Sequence, residues 1–126
     1  MKTKVASVPM RVEKPWGHEK IWAVTDRYVG KVLHINAGHK LSLQYHREKD
    51  ETLMVWSGRM QFEHFVEGQA PQFKDLGPGD VFHVPPGLRH RMIAAEDTDV
   101  FEVSTTELDD VVRLEDAYGR QGTSAP

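Results

Sequence analysis

The chain has 126 residues, 28% of them charged and 39% hydrophobic, with a net charge of −3 and no cysteine. One domain of this length builds a core without covalent staples, and the missing cysteine excludes a disulfide scaffold, a thiolate metal site and cysteine nucleophile chemistry. The mildly acidic balance gives no reason to expect nucleic acid or an anionic membrane as partner, and no run of about 18 apolar residues is present to span a bilayer.

Residues 1–10 read as a loose arm. Their best apolar run, Val5-Ala6-Ser7-Val8, is broken by Pro9 and is too short for a secretory signal, so a cytoplasmic location is expected. Residues 11–120 form the expected body and 121–126 a frayed tail. Within the body, valine (14 residues) outnumbers isoleucine and leucine together (11), and glycine and proline are scattered rather than pooled. Branched residues cut into short pieces by turn formers predict an all-β domain.

In chain order, strands are expected over 20–24, 28–36 and 41–46, the last followed by the charged corner Arg47-Glu48-Lys49-Asp50. The run 52–56 leads into Ser57-Gly58, and 59–66 alternates with Met60, Phe62 and His64 on one face. A short strand over 72–76 is closed by Gly77-Pro78-Gly79-Asp80. The strand over 81–84 is stopped by Pro85-Pro86-Gly87, and 90–94 and 100–105 complete nine. Only the end reads as helix, from the stripe Leu108, Val111, Val112 and Leu114. Nine short strands and a terminal helix suggest a sandwich or a closed barrel, whose interior can house a ligand.

Two segments hold the residues able to do chemistry. In the first, Gln44 and His46 lie two apart on an expected strand and share a face. Glu51 follows the charged corner, where a hairpin brings it back beside His46. In the second, His90 opens a strand after the Pro-Pro-Gly turn. If these strands are neighbours, imidazole nitrogen, amide oxygen and carboxylate converge as ligands for a divalent metal. Each residue alone has a plainer explanation as a surface or turn residue; the combination favours a site.

These segments resemble the two cupin motifs. Gly38, Gln44-Tyr45-His46, Glu51 and Gly58 fall at the spacings of the first, and Gly79, Pro85, Gly87 and His90 at those of the second. Gln44 stands in place of the first motif histidine and Ala94 in place of the final asparagine. The run Leu41-Ser42-Leu43-Gln44-Tyr45-His46 is similar to the cupin domain of type II mannose-6-phosphate isomerases. So are Lys14-Pro15-Trp16-Gly17-His18-Glu19 near the start, His90-Arg91, and 109–120 near the end. The resemblance spans most of the chain and includes none of the nucleotidyltransferase half of the bifunctional members, so a stand-alone cupin is expected. It implies a jelly-roll β-sandwich barrel with a short C-terminal helix and a divalent metal held by Gln44, His46, Glu51 and His90. Zinc is expected first, with manganese, cobalt, nickel or iron as alternatives. The corner departs from the pattern: Lys49 stands where the family has arginine, and Thr52-Leu53 replace His-Trp.

The implied reaction is aldose–ketose isomerisation of a sugar or sugar phosphate through an enediol, which needs a proton carrier near the metal. His34, His83 and Lys49 are the candidates. His34 has apolar neighbours on both faces of its strand, so its direction is open. His83 shares a face with Val81, which suits a core histidine as well. Lys49 is either a proton carrier or, like Arg47 and Glu48, part of a solvated hairpin tip. Arg89, Arg91 and Arg113 are the candidate phosphate ligands, with pairing to Glu115 or Asp116 preferred for Arg113 and Arg120. Two other functions suit the same fold: a ferrous oxygenase, and a non-catalytic sugar-binding module lined by Trp16, Trp22, Tyr45, Trp56, Phe62 and Phe82. A homodimer is expected by resemblance only.

Overall fold

The computed structural model describes residues 8–120 and 122–123. Most of the expected arm, 1–7, and tail positions 121 and 124–126 lie outside the described residues. The chain forms strands β1 (Met10–Lys14), β2 (Gly17–Val24), β3 (Val29–Ile35), β4 (Leu43–Tyr45), β5 (Glu51–Ser57) and β6 (Met60–His64). These are followed by β7 (Gln72–Leu76), β8 (Val81–Val84), β9 (His90–Ala94), β10 (Thr98–Ser104), β11 (Val112–Glu115) and β12 (Gly122–Thr123). They build two antiparallel six-stranded sheets, ordered β1-β2-β3-β10-β5-β8 and β12-β11-β4-β9-β6-β7.

The sheets pack face to face, and strand alternation decides what lies between them. Leu33, Ile35, Leu53, Val55 and Val100 from the first sheet meet Met60, Phe62, Met92 and Ala94 from the second in the main core. Ile21, Val24 and Val29 form a smaller second cluster, with Val12 and Leu108 against it. Along the inward face of β3 the order is Val29, Lys31, Leu33, Ile35, all buried. The interior therefore runs apolar, charged, apolar. Gly17, at φ +152°, lets β2 approach β3 closely, since a Cβ there would collide with the His34 carbonyl oxygen.

The expected C-terminal helix is not seen among the described residues. Residues 106–111 form turns and 112–115 form β11, which pairs with β4 through Val112–Tyr45 and Arg113–Gln44. Val112 and Leu114 fit a period of two as well as a helical stripe, and a partner strand with free edge groups decides between them. β1, unassigned in the sequence, pairs along its whole length with β2.

Candidate metal centre

The donors come from both sheets. Gln44 lies on β4, directly across from His90 on β9 and from Arg113 on β11. His46 follows β4 on the same face as Gln44. The corner after it is tied down by one residue: the Asp110 carboxylate accepts the backbone N–H of Arg47 (3.0 Å), Glu48 (2.7 Å) and Lys49 (2.9 Å). Three N–H donors outweigh burial and hold the Asp110 carboxyl below its usual range. This clamp turns Glu51 inward at the start of β5. The turn before β9 is joined to the same place, since Gly87 N–H donates to the His46 carbonyl at 2.7 Å.

His46, Glu51 and His90 are each almost wholly buried, and one donor atom from each lies within 4.8 Å of the others. His46 Nε2 is 2.6 Å and His90 Nε2 3.9 Å from Glu51 Oε1. Each ring commits its other nitrogen to a main-chain carbonyl: His46 Nδ1 donates to Asp110 O (2.6 Å) and His90 Nδ1 to Leu88 O (2.9 Å). Such hydrogen bonds fix the tautomer and orientation of metal-binding histidines. Burial pushes His90 down to about 4, so its imidazole is neutral at pH 7 with a lone pair on Nε2. The donor set fits a divalent ion, and Gln44 lines the same cavity.

A row of buried charges continues from Glu51 across the first sheet. Lys49 Nζ lies 4.0 Å from Glu51 Oε2 and 3.2 Å from Glu102 Oε2. Lys31 Nζ lies 3.8 Å from Glu102 and 3.2 Å from Glu19. Burial alone would lower Lys49, but Glu102 and Glu51 outweigh it and hold the ammonium above its usual value. Burial and the neighbouring Glu51 charge push Glu102 up to about 7. Lys49 is therefore no solvated tip. Three carboxyl groups face two ammonium groups in this row, and a cation beside Glu51 would favour the ionised form of the raised Glu102.

Toward the mouth the cavity turns basic, with Lys14, Arg113 and Arg120 in its wall. Burial, then the nearby Arg120, lowers Arg113, and Arg113 Nη1 is buried with no hydrogen-bond partner among the described residues. Arg120 is held by Asp116 through its Nε (3.0 Å) and Nη2 (3.1 Å). The preferred pairing with an acid thus describes Arg120, while Arg113 is turned into the cavity.

Four sequence candidates lie elsewhere. His34 is on the outer face of β3, stacked on His18 at 5.1 Å with Nδ1 2.7 Å from Asp99. The inward positions of β3 belong to Lys31 and Leu33, so His34 points away. His83 is 60% exposed and contacts Asp50 at 2.7 Å. Arg89 is exposed over the Phe65 ring. Arg91 is buried, but behind the second sheet: its Nε donates to Leu41 O (3.1 Å) and its Nη2 to Glu115 O (3.4 Å). Because His90 faces inward, its neighbours 89 and 91 face out.

Sequence reasoning missed Glu19, Lys31, Glu102 and Asp110. Lys31 was findable, since it shares a face with Val29, Leu33 and Ile35, and a charge inside an apolar period-two pattern marks a buried ion. Glu102 stands likewise beside Val100. Asp110 carried no local signal, because its partners lie more than 60 residues away.

Residues 31–105 match the family described as Cupin domain. Among curated proteins, the chain is 32% identical over 114 residues to mannose-1-phosphate guanylyltransferase ManC of Salmonella typhimurium, covering 86% of this chain and 23% of that one. It is 31% identical over 118 residues to mannose-1-phosphate guanylyltransferase of Escherichia coli, covering 90% and 24%. The chain thus spans about a quarter of the length of the curated relatives it matches, over their C-terminal cupin region. Among solved structures, KdgF from Halomonas sp. superposes with a TM-score of 0.66 at 24% identity, covering 77% of this chain and 87% of that one. Oxalate decarboxylase from Bacillus subtilis superposes with a TM-score of 0.71 at 18% identity, covering 90% and 32%. These structural neighbours bear on the fold alone. Two motif segments, two facing sheets, an inward His-Glu-His cluster and a family match over residues 31–105 agree, and the chain belongs to the cupin family.

Proposed function

We propose that this cupin is a metal-dependent sugar or sugar-phosphate isomerase, interconverting aldose and ketose, with mannose 6-phosphate and fructose 6-phosphate as the first pair to test. The observation that carries the reading is one cavity holding both a His46-Glu51-His90 cluster and the Arg113 guanidinium, whose Nη1 has no hydrogen-bond partner among the described residues. The named activity of the relatives concerns mannose 1-phosphate, which supports a sugar phosphate as substrate class here.

Gln44, His46, Glu51 and His90 would hold a divalent ion, zinc, manganese or cobalt, which when bound supplies Lewis acidity at the sugar's carbonyl and hydroxyl oxygens. Free space in the whole cavity is only about 40 Å³, room for an ion and a few oxygens, so a sugar would have to extend out of it. Arg113 and Lys14, with Arg120 beside them, place positive charge where a phosphate would lie. Of the three candidate proton carriers only Lys49 reaches the cavity. As a pinned ammonium that holds its proton tightly, it would stabilise negative charge on the enediol oxygens and is not the base, so none of the three candidates carries the proton.

Metal content by elemental mass spectrometry, followed by the isomerase assay, tests the reading. Near-stoichiometric metal that disappears in His46→Ala and in His90→Ala, with both variants folded, is the expected result. Full metal in both variants refutes the ligand set. Sugar binding without turnover would make the protein a binding module, and oxygen-dependent turnover with iron an oxygenase. The expected homodimer is part of the same proposal and is checked by light scattering. No helix among the described residues is long and apolar enough to cross a membrane.

A further inference from the structure

Apart from Glu51 and Lys49, the buried charge row has no part in the reaction as proposed, and its geometry is ordered. Glu19, Lys31, Glu102 and Glu51 lie on β2, β3, β10 and β5, which are consecutive neighbours in the first sheet. Lys49 bridges the last two. Their side chains are all more than nine-tenths buried. Burying ions is costly, and apolar residues of similar volume often stabilise a core at least as well, so the row calls for a task other than stability.

The two oxygens of Glu51 are divided. Oε1 faces His46 Nε2 at 2.6 Å and His90 Nε2 at 3.9 Å, whereas Oε2 faces Lys49 Nζ at 4.0 Å, a charge contact longer than a hydrogen bond; Glu102 also contacts the Glu51 carboxyl directly. Lys49 Nζ is itself anchored 3.2 Å from Glu102 Oε2, and Lys31 braces Glu102 from the far side at 3.8 Å. We propose that Lys49 and Glu102 are positioning residues: Lys49, anchored on Glu102, draws Glu51 Oε2 by charge while Glu102 contacts the same carboxyl, so that Glu51 offers a metal ion Oε1 alone. This rests on the metal-site reading above. A carboxylate that gives one oxygen rather than two leaves a place beside it for a substrate oxygen. Asp110 supplies the backbone side of the device, because its clamp on the Lys49 N–H directs that side chain inward.

The test uses the full chain loaded with Co²⁺, whose visible absorption reports the donors around it. In Lys49→Met/Glu102→Gln both charges go together, so no buried ion is stranded. Glu51 is then free to turn both oxygens to the metal. The expected result is an altered cobalt spectrum and at least tenfold weaker binding of acetohydroxamate, a small two-oxygen chelator, to the loaded protein. Lys49→Arg, which keeps the cation, should retain the original spectrum. An unchanged spectrum and unchanged acetohydroxamate affinity in the double variant overturn the proposal while leaving the metal site standing. If the double variant does not fold, Glu102→Gln alone decides. Lys49 then closes on Glu51, and Co²⁺ affinity should fall about tenfold or more; an unchanged affinity overturns the proposal. Cobalt binding that survives His46→Ala refutes the metal reading itself, and the proposal with it.

Discussion

Arg113 shows how much a single buried side chain can specify. It sits on β11 opposite Gln44, is nearly buried, and leaves Nη1 without a partner among the described residues. An unpaired buried guanidinium nitrogen is costly, and an incoming anion satisfies it. A charge-assisted hydrogen bond contributes about 1.5–3 kcal/mol, so Arg113→Met should weaken sugar-phosphate binding tenfold or more. Affinity for the unphosphorylated sugar should hardly change. Isothermal titration of both ligands checks this, and equal losses would remove Arg113 from phosphate recognition. At this scale the sequence was most legible where residue type and spacing coincide. Gln44, His46, Glu51 and His90 are ligand types at same-face or turn-defined positions, and all four line one cavity. His34 and Arg91 were illegible for a shared reason. Their strands carry apolar or bulky residues on both faces, so the inward face is chosen by the facing sheet rather than by local pattern.

At the scale of elements, the segment expected to be helical matters more as a turn and strand. Its turn delivers Asp110 to the 46–49 corner, and a helix could not bring that carboxylate to three consecutive N–H groups there. Asp110→Ala removes an acceptor shared by two exposed donors and one partly buried one, and should cost about 1–2 kcal/mol in urea denaturation, with metal affinity falling as the corner loosens. Unaltered stability and affinity would show that the corner holds itself. The segment after β11 has its own lock. The Asp116 carboxylate, fully covered, accepts from the Arg120 backbone N–H (2.6 Å) and side chain. Burial would raise its pKa, but the Arg120 hydrogen bonds hold it below the usual carboxylate range. A depressed folded-state pKa contributes stability that is present above the unfolded value, about 3.9, and lost as pH falls through the folded one. Protection of the Arg120 amide from exchange, corrected for the intrinsic slowing of exchange in acid, should therefore stay high at pH 5 and drop at still lower pH; in Asp116→Ala it should be low throughout. Strands such as β5 and β9 were readable from branched residues between turn formers. β1 and β11 were not, because pairing with β2 and β4 makes them strands.

For the whole molecule, short branched runs give the expectation of an all-β sandwich or closed barrel, the cupin resemblance narrows it to a jelly-roll sandwich barrel, and the two facing sheets agree with it. The charged layer inside was not expected, although Lys31 and Glu102 each share a face with apolar neighbours and so carry the local signal of a buried ion. That layer also gives the barrel a second source of cohesion. Glu51 belongs to the first sheet, whereas Gln44, His46 and His90 belong to or adjoin the second. An ion between them is a cross-link of the two halves, doing in a cysteine-free chain what a disulfide does elsewhere. Since the unfolded chain has no such assembled site, mass action adds about 2.7 kcal/mol at a free ion concentration one hundred times Kd. Thermal unfolding should accordingly rise by several degrees with saturating metal and fall back with a chelator. A midpoint indifferent to both would show that the halves hold together on packing alone. With the proposed ion bound, metal supply would govern how long the folded barrel survives proteolysis, so scarcity of the ion would clear the protein instead of leaving an apo form in place.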